Sequence, residues 1–154
     1  MFREMRRKNR LLPEEETAAI LREGSSGVLS VLGDDGYPYG VPLSYLYRDG
    51  RLYFHCAVSG HKLDALRREP RASFCVIAQD QVVPGKYTTA YRSVIAFGRV
   101  RELEGEEKRA AIDELTAKYY PEEAPEHRQK EIDASWDRLC LLEMTVEHLT
   151  GKGR

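Results

Sequence analysis

The sequence predicts an α+β fold, mainly antiparallel β, in which a barrel-like sheet carries peripheral helices. Three observations predict it. Strand-like runs follow one another through tight turns, as hairpins do. Helical segments are inserted among them without the strand–helix alternation of a parallel sheet. The chain has 154 residues, 42% of them hydrophobic, which fits one domain built on one core.

Taken in order, residues 13–24 (PEEETAAILREG) open with proline, place acids in the first turn and end on glycine, the signature of a helix. VLSVLG (28–33), the turn DDGYP and GVPLSYLY (40–47) form a first strand pair. YRDGRLYF (47–54) is a second hairpin about Asp49-Gly50. HKLDALRRE (61–69) reads as a short helix stopped by Pro70, and 72–83 and 88–103 are rich in strand formers. GEEKRAAIDELTAKYY (105–120) is helical, as is the polar stretch up to Trp136, and CLLEMTVEHL (140–149) is the last of six or so strands. There is no internal repeat or linker.

The charge balance excludes several function classes. Lys and Arg number 24 against 25 Asp and Glu, without the basic excess of a nucleic-acid binder. Arg6-Arg7-Lys8 and Arg67-Arg68 read as solvated charge. No apolar run approaches the roughly 18 residues of a membrane span. The charged opening MFREMRRKNRLLPEEE has no apolar secretory core, so a cytoplasmic location is expected. Cys56, Cys75 and Cys140 are odd in number, show no CxxC spacing and read as buried, reduced thiols rather than metal ligands or disulfide partners.

Four places carry possible chemistry. In RLYFHCA, strand alternation puts Leu52, Phe54 and Cys56 on a core face and Tyr53, His55 and Ala57 on the other. His55 is therefore either a hydrogen-bonded strand-end histidine or a group facing a cleft. Ser59-Gly60-His61-Lys62 follows, with Ser59 as a plausible helix N-cap and Gly60 allowing close backbone approach. Lys62 in the first helical turn opposes the helix dipole, a conflict that a bound anion would remove. Pro42 inside GVPLSYLY requires an edge strand or a bulge, leaving backbone groups near Leu43 and Ser44 free. Arg92, within YRSV, needs a carboxylate or phosphate partner. No GxSxG, HExxH, P-loop or GxGxxG is present, and His127 and His148 lack ligand spacing. Trp136 either packs on the barrel or closes a pocket.

Together these motifs resemble the nitroimidazole-reductase (nitroimidazole-resistance) branch of the pyridoxamine 5′-phosphate oxidase-like flavoproteins. The resemblance runs through MFREMRRKNRLLP, SGVLSVLGDDGYPYGVPLSYLYRDGRLYFHCAVSGHKLDALRR, SFCVIAQDQVVP, TTAYRSVIAFGRVREL and the closing EHLTGK. It implies a split β-barrel that binds FMN non-covalently as a homodimer, with flavins in clefts at the subunit interface. It implies that Pro42, Leu43 and Ser44 line the isoalloxazine, with His55 and Ala57 beside it. Ser59, Gly60, His61 and Lys62 would hold the phosphate, and Arg92 and Ser93 would contribute from a neighbouring strand. His55 would be the catalytic residue in reducing a nitroaromatic substrate, such as a 5-nitroimidazole, to its amine. Two other readings stay open within the same family: a pyridoxamine 5′-phosphate oxidase-related flavoprotein of other substrate, and a non-catalytic flavin- or haem-binding module.

Overall fold

Every strand of the computed structural model, which describes residues 1–154, joins one antiparallel sheet whose two edges are linked by a single residue, Tyr45. Helix α1 (Glu14–Glu23) buries Thr17, Ile20 and Leu21, one stripe at helical spacing. Strands β1 (Ser26–Leu32) and β2 (Pro38–Ser44) pair along their full length. Strands β3 (Leu46–Arg48) and β4 (Arg51–Ala57) turn at Asp49 and Gly50, with φ of 49° and 76°. Two consecutive positive φ angles match the twist of the flanking strands, which is why Asp-Gly marks the hairpin.

Helix α2 (His61–Arg68) leads into the long strands β5 (Arg71–Val83) and β6 (Thr88–Leu103). Helices α3 (Gly105–Tyr119) and α4 (Pro125–Ser135) precede β7 (Leu139–Gly153). The expected elements are all present. Strand β7 runs further than the sequence suggests, because the closing EHLTGK pairs with the first half of β6. The ladder slips between Phe97 and Gly98, where a β-carbon on Gly98 would stand 2.0 Å from the Thr145 carbonyl oxygen. Only glycine admits that approach.

The strand order is β2-β1-β5-β6-β7-β4-β3. Strands β2 and β3 are therefore the outermost members of the sheet, yet only Tyr45 separates them in sequence. A flat sheet of seven strands would hold its edges six strand spacings of about 4.8 Å apart. The one-residue connection forces the sheet to curl until its edges meet. Tyr45 is fully buried; its hydroxyl donates to the Leu21 carbonyl at 2.6 Å, and its N–H donates to the Tyr119 hydroxyl at 2.9 Å. Lys118 Nζ donates to the Tyr45 carbonyl at 2.9 Å and to that of Gly24 at 2.6 Å.

The main core fills the curl, with Tyr45, Phe54 and Phe74 as its largest fully buried side chains. A second cluster, including Tyr53, Leu103, Ile112, Leu115, Ile132 and Leu141, lies between the sheet and α3 and α4. The face of β4 that carries Tyr53, His55 and Ala57 is thus closed at one end. Tyr53 is only 6% exposed, and the open part begins at His55.

Tyr45→Phe should lower unfolding stability by about 1–3 kcal/mol, because the buried Leu21 carbonyl loses its donor. Tyr87→Ala, at a residue 99% exposed, should change it by less than about 0.5 kcal/mol. Urea unfolding of the two variants beside the native chain checks the contrast.

Candidate functional site

Strand β4 is covered by β3 only along Arg51–Tyr53, so its last residues face open space on that side while β7 pairs them on the other. His55 pairs with Leu141 in that ladder, and its ring enters a cavity of about 380 Å³. Ser44, the last residue of β2, lines the same cavity, with Leu115, Thr116 and Tyr119 of α3 and Ile132 of α4. The curl brings these groups together from both sides of the split. Burial by these walls lowers the His55 pKa below its usual 6.5, and the Lys62 ammonium adds to the effect. The imidazole is neutral at pH 7 and offers one N–H donor and one ring-nitrogen acceptor.

The turn after β4 divides its roles. Gly60, not Ser59, is the N-cap of α2, and no side chain caps the first turn. Ser59 is exposed and the expectation of a serine cap is corrected: Gly60 takes the N-cap position with φ 143° and ψ 174°, a region nearly closed to other residues, so Ser59 lies one residue outside the helix start and caps nothing. Space is open where a Gly60 side chain would stand. The first backbone N–H groups of α2 thus point at an accessible position. His61 leaves that position. Its ring stacks on Tyr39 of β2 at 4.1 Å between centroids, and its Nε2 lies 3.8 Å from a carboxylate oxygen of Asp34. Asp34 also accepts from Arg68 at 2.9 Å. Lys62 is half-buried and takes no carboxylate partner, whereas Arg67 and Arg68 are paired with Glu102 and Asp34.

Pro42 lies on an edge strand, as its missing N–H requires: β2 pairs with β1 alone, Pro42 opposite Val28. Pro42 and Ser44 are exposed, while Leu43 packs against the core. Ala57 is the exposed last residue of β4, opposite Leu139. Arg92 and Ser93 stand apart from the His55 cavity within one chain. Arg92 donates to Glu16 of α1 at 2.8 Å and lines a different cavity, of about 350 Å³, with Gly24, Ser25 and Ile77. Ser93 is half-buried in β6, opposite Lys152.

The helical wall of the His55 cavity was not read from the sequence. Ile112, Leu115, Thr116 and Tyr119 recur at helical spacing, a pattern that signals one buried face but not what it faces. Tyr119 does two jobs. It walls the cavity, and its hydroxyl lies 2.6 Å from the Ser25 carbonyl and 2.7 Å from that of Tyr45. Trp136 neither plugs the barrel nor reaches His55. The Lys108 ammonium sits 4.1 Å above its ring, at the rim of a separate cavity beside Cys140. Chemically, the His55 cavity is a largely apolar slot edged by hydroxyls, one neutral imidazole and the Glu131 carboxylate, without a lining lysine or arginine. No group of three or more His, Cys, Asp or Glu side chains is placed to hold a metal ion.

Comparison with known proteins places this geometry. Residues 13–153 match the family model described as pyridoxamine 5′-phosphate oxidase. No curated protein matches the chain in sequence. Among solved structures, a conserved hypothetical protein of Mycobacterium tuberculosis superposes with a TM-score of 0.81 at 19% identity, covering 97% of this chain and 90% of that one. A protein of Bacteroides thetaiotaomicron, assigned to 5-nitroimidazole antibiotic resistance, gives 0.73 at 21% identity, over 92% and 85% of the two chains. An FAD-binding protein of Mesorhizobium loti gives 0.66 at 25% identity, over 94% and 97%. The fold is the split barrel of these relatives.

The His55 ring protons should titrate in an NMR pH series with a midpoint below 6.5, the ordinary value. Lys62→Met should return the midpoint part of the way, since burial is the larger cause. A midpoint at or above 6.5 in the native chain would contradict the electrostatics described. The sign for stability follows: the folded state resists protonation here, so His55 favours folding above pH 6.5 and that contribution is lost as pH falls through its lowered pKa.

Proposed function

The chain belongs to the pyridoxamine 5′-phosphate oxidase family, and on that premise we propose that it is an FMN-dependent reductase of small, flat, electron-poor aromatics such as nitroimidazoles. One observation carries the reading. A neutral His55 and the edge-strand residue Ser44 share a single apolar slot, a few residues from an uncapped helix start with an unpartnered lysine.

These residues fit the cofactor. The backbone edge at Pro42, Leu43 and Ser44 suits the donor and acceptor row of an isoalloxazine, with His55 and Ala57 beside the ring. The N–H groups that follow Gly60, together with Lys62, suit a terminal phosphate. His61 contributes through its stack on Tyr39, which orients the turn. Bound FMN would supply the electrons for reduction. The chain's own part is to exclude water and to steady the charge that develops on the substrate. His55 donates a hydrogen bond from its neutral imidazole to a substrate oxygen, while Leu115, Ile132 and Tyr119 hold the aromatic ring flat. The slot lacks a lining cation and includes Glu131, which favours an uncharged substrate over the phosphorylated one of a pyridoxamine 5′-phosphate oxidase.

The working unit in this reading is a homodimer. Val28, Ile77, Ile95 and Phe97 leave the outer sheet face apolar, at 41%, 66%, 42% and 38% exposure. Strand alternation puts Ser93 on that same face beside Ile95. A second copy seated there would bring Ser93, and Arg92 next to it, to an interface that a single chain leaves open.

Purified protein should bind FMN and reduce a 5-nitroimidazole when a chemical reductant is supplied. His55→Ala should retain the flavin absorbance and lose on the order of 10²-fold in nitro reduction. Unchanged turnover with flavin bound would replace the catalytic reading by a non-catalytic flavin module. Bound FAD or haem in place of FMN would displace the cofactor assignment. Sedimentation equilibrium should give twice the 17.6 kDa chain mass, and Ile95→Glu should give the monomer with weakened flavin retention.

A further inference from the structure

The sequence reads Cys56 and Cys140 as buried, reduced thiols without a disulfide role, yet the fold places them directly opposite each other in the β4–β7 ladder. Directly opposite residues of an antiparallel pair have α-carbons about 4.5 or 5.5 Å apart, depending on the pair type. Both spacings lie inside the range of about 4.4–6.8 Å that a disulfide spans. Side chains of directly opposite residues project to the same side of the sheet, so the two thiols are neighbours on one face of the ladder. Cys56 is half-buried and Cys140 buried, but a cavity of about 280 Å³ reaches Cys140 from the surface between Arg67, Lys108 and Trp136. The Sγ of Cys140 donates to Glu102 Oε1 at 3.8 Å.

We propose that Cys56 and Cys140 form a reversible dithiol–disulfide site, oxidised by small-molecule disulfides, on the face of β4 opposite His55. The exchange balances without a further reagent. Cys56 sulfur attacks a small disulfide R–S–S–R, forming a mixed disulfide and releasing one R–SH. Cys140 sulfur then attacks the Cys56 sulfur, closing the intramolecular S–S bond and releasing the second R–SH. The protein dithiol loses two electrons and two protons, and the small disulfide gains them. Cys56 is the attacking sulfur because it is the more exposed and because Lys62 and Arg67 favour its thiolate against the effect of burial. Glu102, held ionised by Arg67, only accepts the Cys140 S–H hydrogen bond, and the Cys140 proton leaves to solvent base in the closing step. Burial pushes the Cys140 thiol up to about 12, so exchange is slow at pH 7 and accelerates with rising pH. Cys75 has no part in the site: it sits in β5 between Val28 and Ile95, away from the pair.

The test uses the native chain with glutathione disulfide at pH 8.5, read by thiol count after denaturation and by intact mass. The three free thiols should fall to one, with a mass loss of two hydrogens, no retained glutathione and Cys75 as the surviving thiol in peptide mapping. Excess dithiothreitol should restore all three. Cys75→Ala should close the same bond and end with no free thiol. Cys140→Ala should stop at the mixed disulfide on Cys56. Three surviving thiols in the native chain, glutathione retained on it at equilibrium, or disulfide-linked dimers in place of the internal bond would each overturn the proposal.

Discussion

Tyr45 is the residue on which the rest of the molecule depends. The chain ends one edge strand at Ser44 and begins the opposite edge strand at Leu46, so the sheet has to close around this residue. Closure costs conformational freedom, and the fold offsets it with a cluster of buried bonds. The Tyr45 hydroxyl, N–H and carbonyl are all partnered, by Leu21, Tyr119 and Lys118. Each of those partners comes from a helix, so α1 and α3 are tied to the strand junction by side-chain-to-backbone hydrogen bonds as well as by packing. In a site withdrawn from water, such bonds are individually modest but costly to leave unmade.

The same closure creates the site. Edge strands joined at one residue diverge on either side of it, and β3 is too short to cover the whole of β4. The uncovered end of β4 carries His55, and the facing end of β2 carries Ser44. Helices α3 and α4 cover Tyr53 and Leu141 and then continue as the cavity wall. One pair of helices thus seals the second core and shapes the slot. The lowered basicity of His55 follows from that burial, with the Lys62 ammonium adding to it.

Split-barrel relatives include proteins named for flavin binding and for nitroimidazole resistance, and this breadth has a structural source. The barrel and its junction are set by core packing, while the slot is lined largely by residues of α3 and α4, which the barrel does not dictate. A change at Thr116, Tyr120 or Glu131 would leave the sheet intact and alter what the slot accepts. Function therefore rests on those side chains and not on the fold alone.

The sequence by itself determined the elements and the faces of the strands. Local signals suffice for these, because turns such as Asp49-Gly50, the break at Pro70 and the alternation in Leu52–Cys56 act over a few residues. It also singled out Pro42 as an edge position, since a missing N–H excludes a central strand. Only the tertiary structure decided which residues meet. Ser44 and His55 share a cavity because the sheet curls; Cys56 and Cys140 face each other because β4 and β7 pair in one register among many. His61 turned from the helix start to Tyr39 and Asp34, and Arg92 to Glu16, because those partners approach from other parts of the chain. Such contacts depend on closure and register, and neither is a property of any short stretch of sequence.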